Sequence, residues 1–239
     1  MIILTTIYNA GPYIEQCLGS IMTQSFKDFK CYITDDMSTD NSVKLIEDMI
    51  QGDDRFILIK NTVKHYQPGN YDQVIRNNPA IDDNEICIEI DGDDWLPNSK
   101  TLQLIHDVYQ DQNVWITNGS FKYANGSDGF SHKQAINDGL RSAGMTCSHM
   151  RTWRAFLWRG IKQEDLKDET GIYWPVTGDL AFMFPMLEMA TEEHYRFIEE
   201  TTYIYNGDNP LNDHKVNMSK VNVVADKIRA MPRYSKLIR

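Results

Sequence analysis

The sequence predicts an α/β fold, a mostly parallel sheet flanked by helices with an acceptor-side elaboration in the C-terminal half. Three observations predict it. Strand and helix patterns alternate through about the first 110 of 239 residues, which implies parallel strands joined by crossover helices. Polar clusters follow the first, second and fourth strand patterns, where parallel sheets bind ligands. Apolar residues make up 41% of the chain, enough for a sizeable core.

Each element has its own signal. Residues 2–6 are an apolar run, and Asn9, Gly11 and Pro12 mark a turn. Ile14, Leu18, Ile21 and Met22 recur at helical spacing, and Phe29, Cys31 and Ile33 alternate as a strand does. Val43, Ile46 and Ile50 mark a second helix, 56–59 a third strand, and 69–78 a short helix. Ile86, Ile88 and Ile90 form the fourth strand, with Leu102, Ile105 and Val108 on the helix after it. Beyond residue 112 the pattern is less regular. It gives a strand over 114–118, a hairpin turn at Asn125-Gly126, a short helix from Trp153, Phe156 and Leu157, a helix over 180–189 and a strand over 197–205. We expect one domain over 1–239: a ligand-binding half (1–111), a second half (112–214) and a basic C-terminal helix and tail (215–239).

Composition narrows the function. No window holds 18 consecutive apolar residues, so no membrane span is expected. The start MIILTTIYNA reads as a strand rather than a signal peptide. Four cysteines without a C-x-x-C pair suggest buried free thiols and a cytoplasmic location. The net charge is −10, but 215–239 carries seven Lys/Arg against one Asp, so the body carries −16. An acidic body disfavours nucleic acid. The basic tail has the charge for peripheral contact with an anionic membrane, or is simply a solvated amphipathic helix.

The segment IEIDGDDWLPNS places Asp91, Asp93 and Asp94 at the end of an apolar strand. Like charges this close need a cation. Mn²⁺ or Mg²⁺ takes oxygen ligands and leaves positions for phosphates. A calcium loop fails, because Leu96 and Leu102 stand where an EF-hand needs Gly and Glu. A turn with Asn98 or Ser99 capping the next helix leaves the doubled aspartate unexplained. In DDMSTD, Thr39 or Asp40 can cap a helix, whereas Asp36 can accept a hydrogen bond from a nucleobase N–H. Thr6 and Tyr8 flank the same pocket, and a tyrosine can cover a base.

TTIYNAGPYIEQCLGSIMTQSF, ITDDMSTDNSV and IDGDDWL, in this order and spacing, resemble the nucleotide-sugar-dependent glycosyltransferases of family 2, which have the Rossmann-like GT-A fold. The likeness is close over about 110 residues and looser beyond. It implies a nucleoside held by Thr6, Tyr8 and Asp36, with Asn70, at the opening of the helix before strand four, as a further contact. It implies Asp93 on the ribose or metal, and Asp94 as principal ligand of Mn²⁺ or Mg²⁺. With Asp91 these form the donor and metal set. A base from the second half falls on Asp179, where many relatives have Glu-Asp and this chain has Gly178-Asp179; a helix cap is the plainer role. SHMRTW places Arg151 on the diphosphate or an anionic acceptor, with His149 beside it. YNGDNPLNDHK offers His214 as a metal ligand and Lys215 as a phosphate contact.

The implied reaction is inverting, metal-dependent transfer from a nucleoside-diphosphate sugar, UDP favoured, to a hydroxyl of a glycan, lipid-linked or protein acceptor. A sugar nucleotidyltransferase would need a Gly- and Arg-rich loop after strand one, where TTIYNAGPY has one Gly and no Arg. A non-catalytic nucleotide-sugar-binding module would keep Asp36 but not need Asp94 or Asp179.

Overall fold

The computed structural model describes residues 1–239, apart from the side chains of Asp213 and His214. Strands β1 (Ile2–Ile7), β2 (Lys30–Asp35), β3 (Phe56–Lys60) and β4 (Ile86–Glu89) alternate with helices α1 (Ile14–Met22), α2 (Ser42–Ile50), α3 (Tyr66–Asn77) and α4 (Thr101–Val108). Then come β5 (Ile116–Tyr123), β6 (Arg151–Arg154), α5 (Ala155–Gly160), α6 (Gly178–Ala190), β7 (Tyr195–Tyr205), α7 (Asp213–Val216) and α8 (Met218–Ala230).

All seven strands join one sheet in the order β3-β2-β1-β4-β6-β5-β7. Neighbours are parallel except at β6, which runs antiparallel to both β4 and β5. The chain therefore reverses direction across β1, with β2 on one side and β4 on the other. That switch point opens a crevice at the carboxyl ends of the strands.

Two hydrophobic layers cover the sheet. One packs Ile14, Leu18 and Ile21 of α1 with Ile46 of α2 and Leu102 and Ile105 of α4. The other packs Tyr71 and Ile75 of α3 with Trp158 of α5, Phe182 of α6 and Val224 of α8. Helix α6 is apolar on nearly every side and almost wholly buried, as a helix enclosed by its neighbours must be. Its one buried acid, Glu188, is neutralised by Arg141 at 2.6 and 2.7 Å.

Several boundaries differ from the sequence reading. Helix α3 begins at Tyr66, because Pro68 sits in its first turn, where a missing N–H costs nothing. Asn70 is thus inside the helix rather than at its opening. Strand β5 begins two residues later than expected, at Ile116, and runs on through Gly119 to Tyr123. The Asn125-Gly126 turn is present, with the Tyr123 N–H donating to Ser127 O at 2.9 Å. Trp153 lies in β6, opposite Cys87 and Ile116, and the helix begins only at Ala155. The spacing of Trp153, Phe156 and Leu157 imitates a helical turn, but cross-strand register decides. All four cysteines are free and buried. Among the described residues, no helix is long and apolar enough to cross a membrane.

Candidate active site

The site grows from the strand ends. Gly92 lets the DGDD turn lie against β1: a Cβ there would sit 2.4 Å from Ile7 Cγ2, closer than any packing allows. The Gly92 N–H donates to Thr6 O at 3.3 Å, so the turn and Thr6 are neighbours. The Asp40 carboxylate accepts from the Gly11 N–H at 3.0 Å and the Ser42 N–H at 3.0 Å. It ties the loop after β1 to the start of α2. Five non-glycine residues have a positive φ. Thr191 ends α6, and the other four, Asn9, Met37, Tyr66 and Thr177, lie in segments that border the crevice, where strain of this kind tends to gather.

Around the expected nucleoside pocket, Asp36 is buried and already engaged. It accepts from the N–H groups of His65 at 2.8 Å and Tyr66 at 2.9 Å, and from Asn61 Nδ2 at 2.9 Å. The same Asn61 Nδ2 donates to Asn70 Oδ1 at 2.7 Å. Asp36 thus shapes the loop leading into α3 while keeping acceptor capacity. Tyr8 is exposed, with Lys64 Nζ 3.2 Å from its ring centroid.

The three aspartates differ. Asp93 Oδ2 accepts from Asn209 Nδ2 at 2.6 Å. Asp94 is fully buried, and its Oδ1 accepts from the Asn206 N–H at 2.6 Å. The Tyr203 hydroxyl accepts from the Asp91 N–H at 3.0 Å. Burial, reinforced by neighbouring carboxylates, pushes the Asp91 and Asp94 carboxyls well above the usual range. Burial alone raises Asp93.

Ligand atoms of Asp91, Asp94 and His149 lie within 4.8 Å of one another. The His149 ring stacks on Tyr203 and Tyr205, at 4.6 and 5.4 Å between centroids. Burial, aided by the charge of Arg151, drives its pKa well below that of a free histidine. It is held neutral, as a metal-binding imidazole must be. The residues gathered are therefore Asp91 and Asp94 with His149, while Asp93 points to Asn209. His214 falls outside the described side chains.

Across the crevice, Gly178 packs against α3, where a Cβ would meet Pro68 Cγ at 2.5 Å. This explains why no second acid precedes Asp179. Asp179 Oδ2 accepts from Arg151 Nη2 at 2.7 Å, and its Oδ1 from the Leu180 N–H at 3.0 Å. Arg151 Nη1 reaches both oxygens of Glu89 at 3.1 and 3.0 Å. Glu89 is fully buried, and sequence reading missed it. Its signal was a charge on a strand read as covered on both faces.

Tyr8, Asp91, Asp93, His149, Arg151 and Asp179 line one groove of about 590 Å³, a usual size for a small-molecule site. Its lining also holds the apolar Trp174, Val176 and Val221 and the exposed Phe130, Leu211 and Met218, interspersed with the polar Ser148, Asn209 and Asn222. Among the described residues, seven buried side-chain polar atoms have no partner; His149 Nδ1 and Arg151 Nε belong to residues that line this groove, Asp94 Oδ2 belongs to the neighbour of His149, and Thr6 Oγ1 and Asn70 Nδ2 lie on the adjoining end of β1 and on α3. Native proteins leave few such atoms unsatisfied. A second hollow of about 490 Å³ lies beside α3. Its buried carboxylate, Asp72, is fully engaged by Arg76, Trp158, Gln163 and Tyr173.

The sheet and its crevice are those of the GT-A fold. Residues 2–177 match the family described as Glycosyl transferase family 2, and the chain belongs to that family. An uncharacterized glycosyltransferase, EpsJ, of Bacillus subtilis is 22% identical over 217 residues, which are 87% of this chain and 61% of that protein. The chain thus spans under two thirds of that relative's length. Among solved structures, S. aureus TarS 1-349 in complex with UDP-GlcNAc superposes with a TM-score of 0.70 at 14% identity. It covers 95% of this chain and 65% of that one. The mannosyltransferase PcManGT from Pyrobaculum calidifontis, in complex with GDP-Man and Mn²⁺, gives 0.61 at 15% identity, over 97% and 65%.

Proposed function

We propose that the chain is an inverting, metal-dependent glycosyltransferase. It moves a sugar from a nucleoside-diphosphate sugar, UDP-sugar favoured, to a hydroxyl of a glycan or glycoconjugate. The observation that carries this reading is the concentration of unpartnered buried polar atoms at one crevice. Donors and acceptors of both kinds await a ligand there: a nucleoside beside Thr6 and Asn70, and a cation beside Asp94 and His149. The family and the ligands bound by the two solved neighbours agree with it.

The donor set fits Mn²⁺ or Mg²⁺. Asp91 and Asp94 supply oxygen ligands whose mutual repulsion a cation would relieve, and His149 supplies a neutral nitrogen. An ion so held supplies charge neutralisation for a departing diphosphate. The protein's own groups do the rest. Tyr8 offers a face to the base, and Asp36 and Asn70 offer polar groups at its edge. Asp179, on the opposite wall, takes the proton of the acceptor hydroxyl as that oxygen attacks the anomeric carbon. Such assistance is worth about 10²–10⁴-fold. The rest of the groove lining, with its exposed Phe130, Leu211 and Met218, receives the acceptor.

The test is calorimetry with UDP-sugars and Mn²⁺ together with a transfer and donor-hydrolysis assay. Wild-type protein should bind and turn over a nucleotide sugar. Asp179→Asn should bind the donor as tightly while kcat falls about 10²–10⁴-fold. Tight binding with no turnover of any nucleotide sugar would favour a non-catalytic module. Pyrophosphate release from a sugar phosphate and a nucleoside triphosphate would favour a nucleotidyltransferase.

A further inference from the structure

The contacts of Arg151 do not look like those of a phosphate ligand. An arginine that clamps a phosphate offers two parallel N–H groups to it. Here both terminal nitrogens already carry carboxylates, Nη1 on Glu89 and Nη2 on Asp179. The guanidinium is buried. Glu89 is itself fixed by Gln67 Nε2 at 2.8 Å, and the same amide reaches Asp91 Oδ1 at 3.1 Å. The series Gln67, Glu89, Arg151, Asp179 therefore steps across α3, β4, β6 and α6, with Glu89 enclosed and the other three on the groove lining.

We propose that Arg151 and Glu89 are positioning residues that aim Asp179. The inference rests on Asp179 being the base, as argued above. Two donors from different elements, Arg151 Nη2 and the Leu180 N–H, hold one Asp179 oxygen each. The plane of the carboxylate is set before any acceptor arrives. Glu89 completes the device from the far side of Arg151, so the guanidinium is fixed between two carboxylates and holds Asp179 from a pinned position. The bidentate pair also locks the guanidinium, which a lysine in its place would not do.

The experiment compares Arg151→Lys, Glu89→Gln and the double variant Arg151→Met/Glu89→Met in the full chain. The double variant removes both buried charges and leaves neither unpaired, and Arg151→Lys keeps a cation opposite Glu89, so folding can be checked by thermal melts. Each should lower kcat, by about 10²-fold for a base displaced by an ångström, with donor KM and the calorimetric Kd for UDP with Mn²⁺ unchanged. In an Asp179→Asn background, Arg151→Lys should cause no further loss, as residues acting through one group are non-additive. Loss of UDP affinity in Arg151→Lys with kcat retained would assign Arg151 to the diphosphate and overturn the proposal. Undiminished kcat in a folded double variant would make the pair purely structural and overturn it too. Wild-type protein that binds no nucleotide sugar would sink the glycosyltransferase reading itself, and this inference with it.

Discussion

Glu89 and Asp91 are two residues apart where β4 meets the crevice, yet their surroundings treat charge in opposite ways. Around Glu89 the signs alternate: Glu89, Arg151, Asp179. Around Asp91 the neighbours are Asp93 and Asp94, and among the described residues only neutral groups of Gln67, Asn206 and Asn209 donate hydrogen bonds from elsewhere to the three carboxylates. The difference teaches how to tell a positioning cluster from a binding cluster. A buried set with alternating signs is complete and fixes geometry. A like-charged set with unfilled bonds is complete only when something binds, because an uncompensated buried charge is costly.

The largest test of this contrast lies in the unfilled set. Asp94→Asn should abolish measurable transfer. Charge stabilisation of several kcal/mol by a bound cation corresponds to about 10³-fold or more. Asp93→Asn should cost less, because one Asp93 oxygen already accepts from Asn209. Steady-state rates with saturating Mn²⁺ check the order. A smaller loss in Asp94→Asn than in Asp93→Asn would reverse the assignment.

The complete sets should answer in stability instead. Arg141 and Glu188 are buried and bidentate, remote from the six groove-lining residues named above. Arg141→Ala should destabilise the fold by about 3–5 kcal/mol, since it strands a buried carboxylate. Denaturant unfolding measures this. Arg233 Nε stands 3.4 Å from the same Glu188, so a much smaller loss would show that this second cation takes over.

How far the sequence revealed these sets follows from distance along the chain. Asp91, Asp93 and Asp94 were legible because they are adjacent, and because strand alternation from Ile86 to Ile90 placed them at a sheet edge. Asp36 and Thr6 were legible for the same reason on β2 and β1. The Glu89–Arg151–Asp179 series was not, because it depends on β6 pairing antiparallel with β4 across more than sixty residues. No local periodicity announces a four-residue strand. His149 was legible as a pocket residue but not as a partner of Asp91 and Asp94, for that same reason. The expected helix over 69–78 began three residues late, because Pro68 sits inside the first turn of α3.

A bound cation should also change how stability depends on pH. The folded-state pKa values of Asp91 and Asp94 are raised above the ordinary 3.8. A raised carboxyl favours the folded state when protonated, so this contribution is full below about 3.8 and is lost as pH rises through the folded values. The metal-free protein should therefore draw no more stability from these two groups at about pH 8 than at about pH 5, since their contribution only falls as pH rises. Mn²⁺ with UDP should act in the opposite sense and stabilise more at the higher pH, where the ligands are ionised. At 100 times the dissociation constant the gain is about 2.7 kcal/mol. Thermal melts with and without Mn²⁺ at the two pH values test the sign. A larger metal effect at the lower pH would break the link between these carboxylates and the cation.

The smallest effect concerns the tail, whose seven cations suggested a membrane surface. Five of them are paired: Lys227 with Glu169, Arg229 with Asp226, Arg233 with Asp138, Lys236 with Glu193 and Arg239 with Asp83. Exposed pairs are each worth only about 0–1 kcal/mol, so they would not hold the tail alone. Backbone anchors do that work: Arg141 Nη1 takes Ile228 O and Met231 O at 3.0 Å, and the Leu237 N–H donates to Met189 O at 2.9 Å. At about 1 kcal/mol per cation near an anionic surface, the remaining two, Lys215 and Lys220, would supply about 2 kcal/mol. Sedimentation with phosphatidylserine vesicles should therefore show little binding at physiological salt. Weak binding at low salt should vanish in Lys215→Ala/Lys220→Ala. Strong, salt-sensitive binding that survives this double change would mean that the paired cations leave their carboxylates for lipid, and that the tail belongs with the unfilled sets.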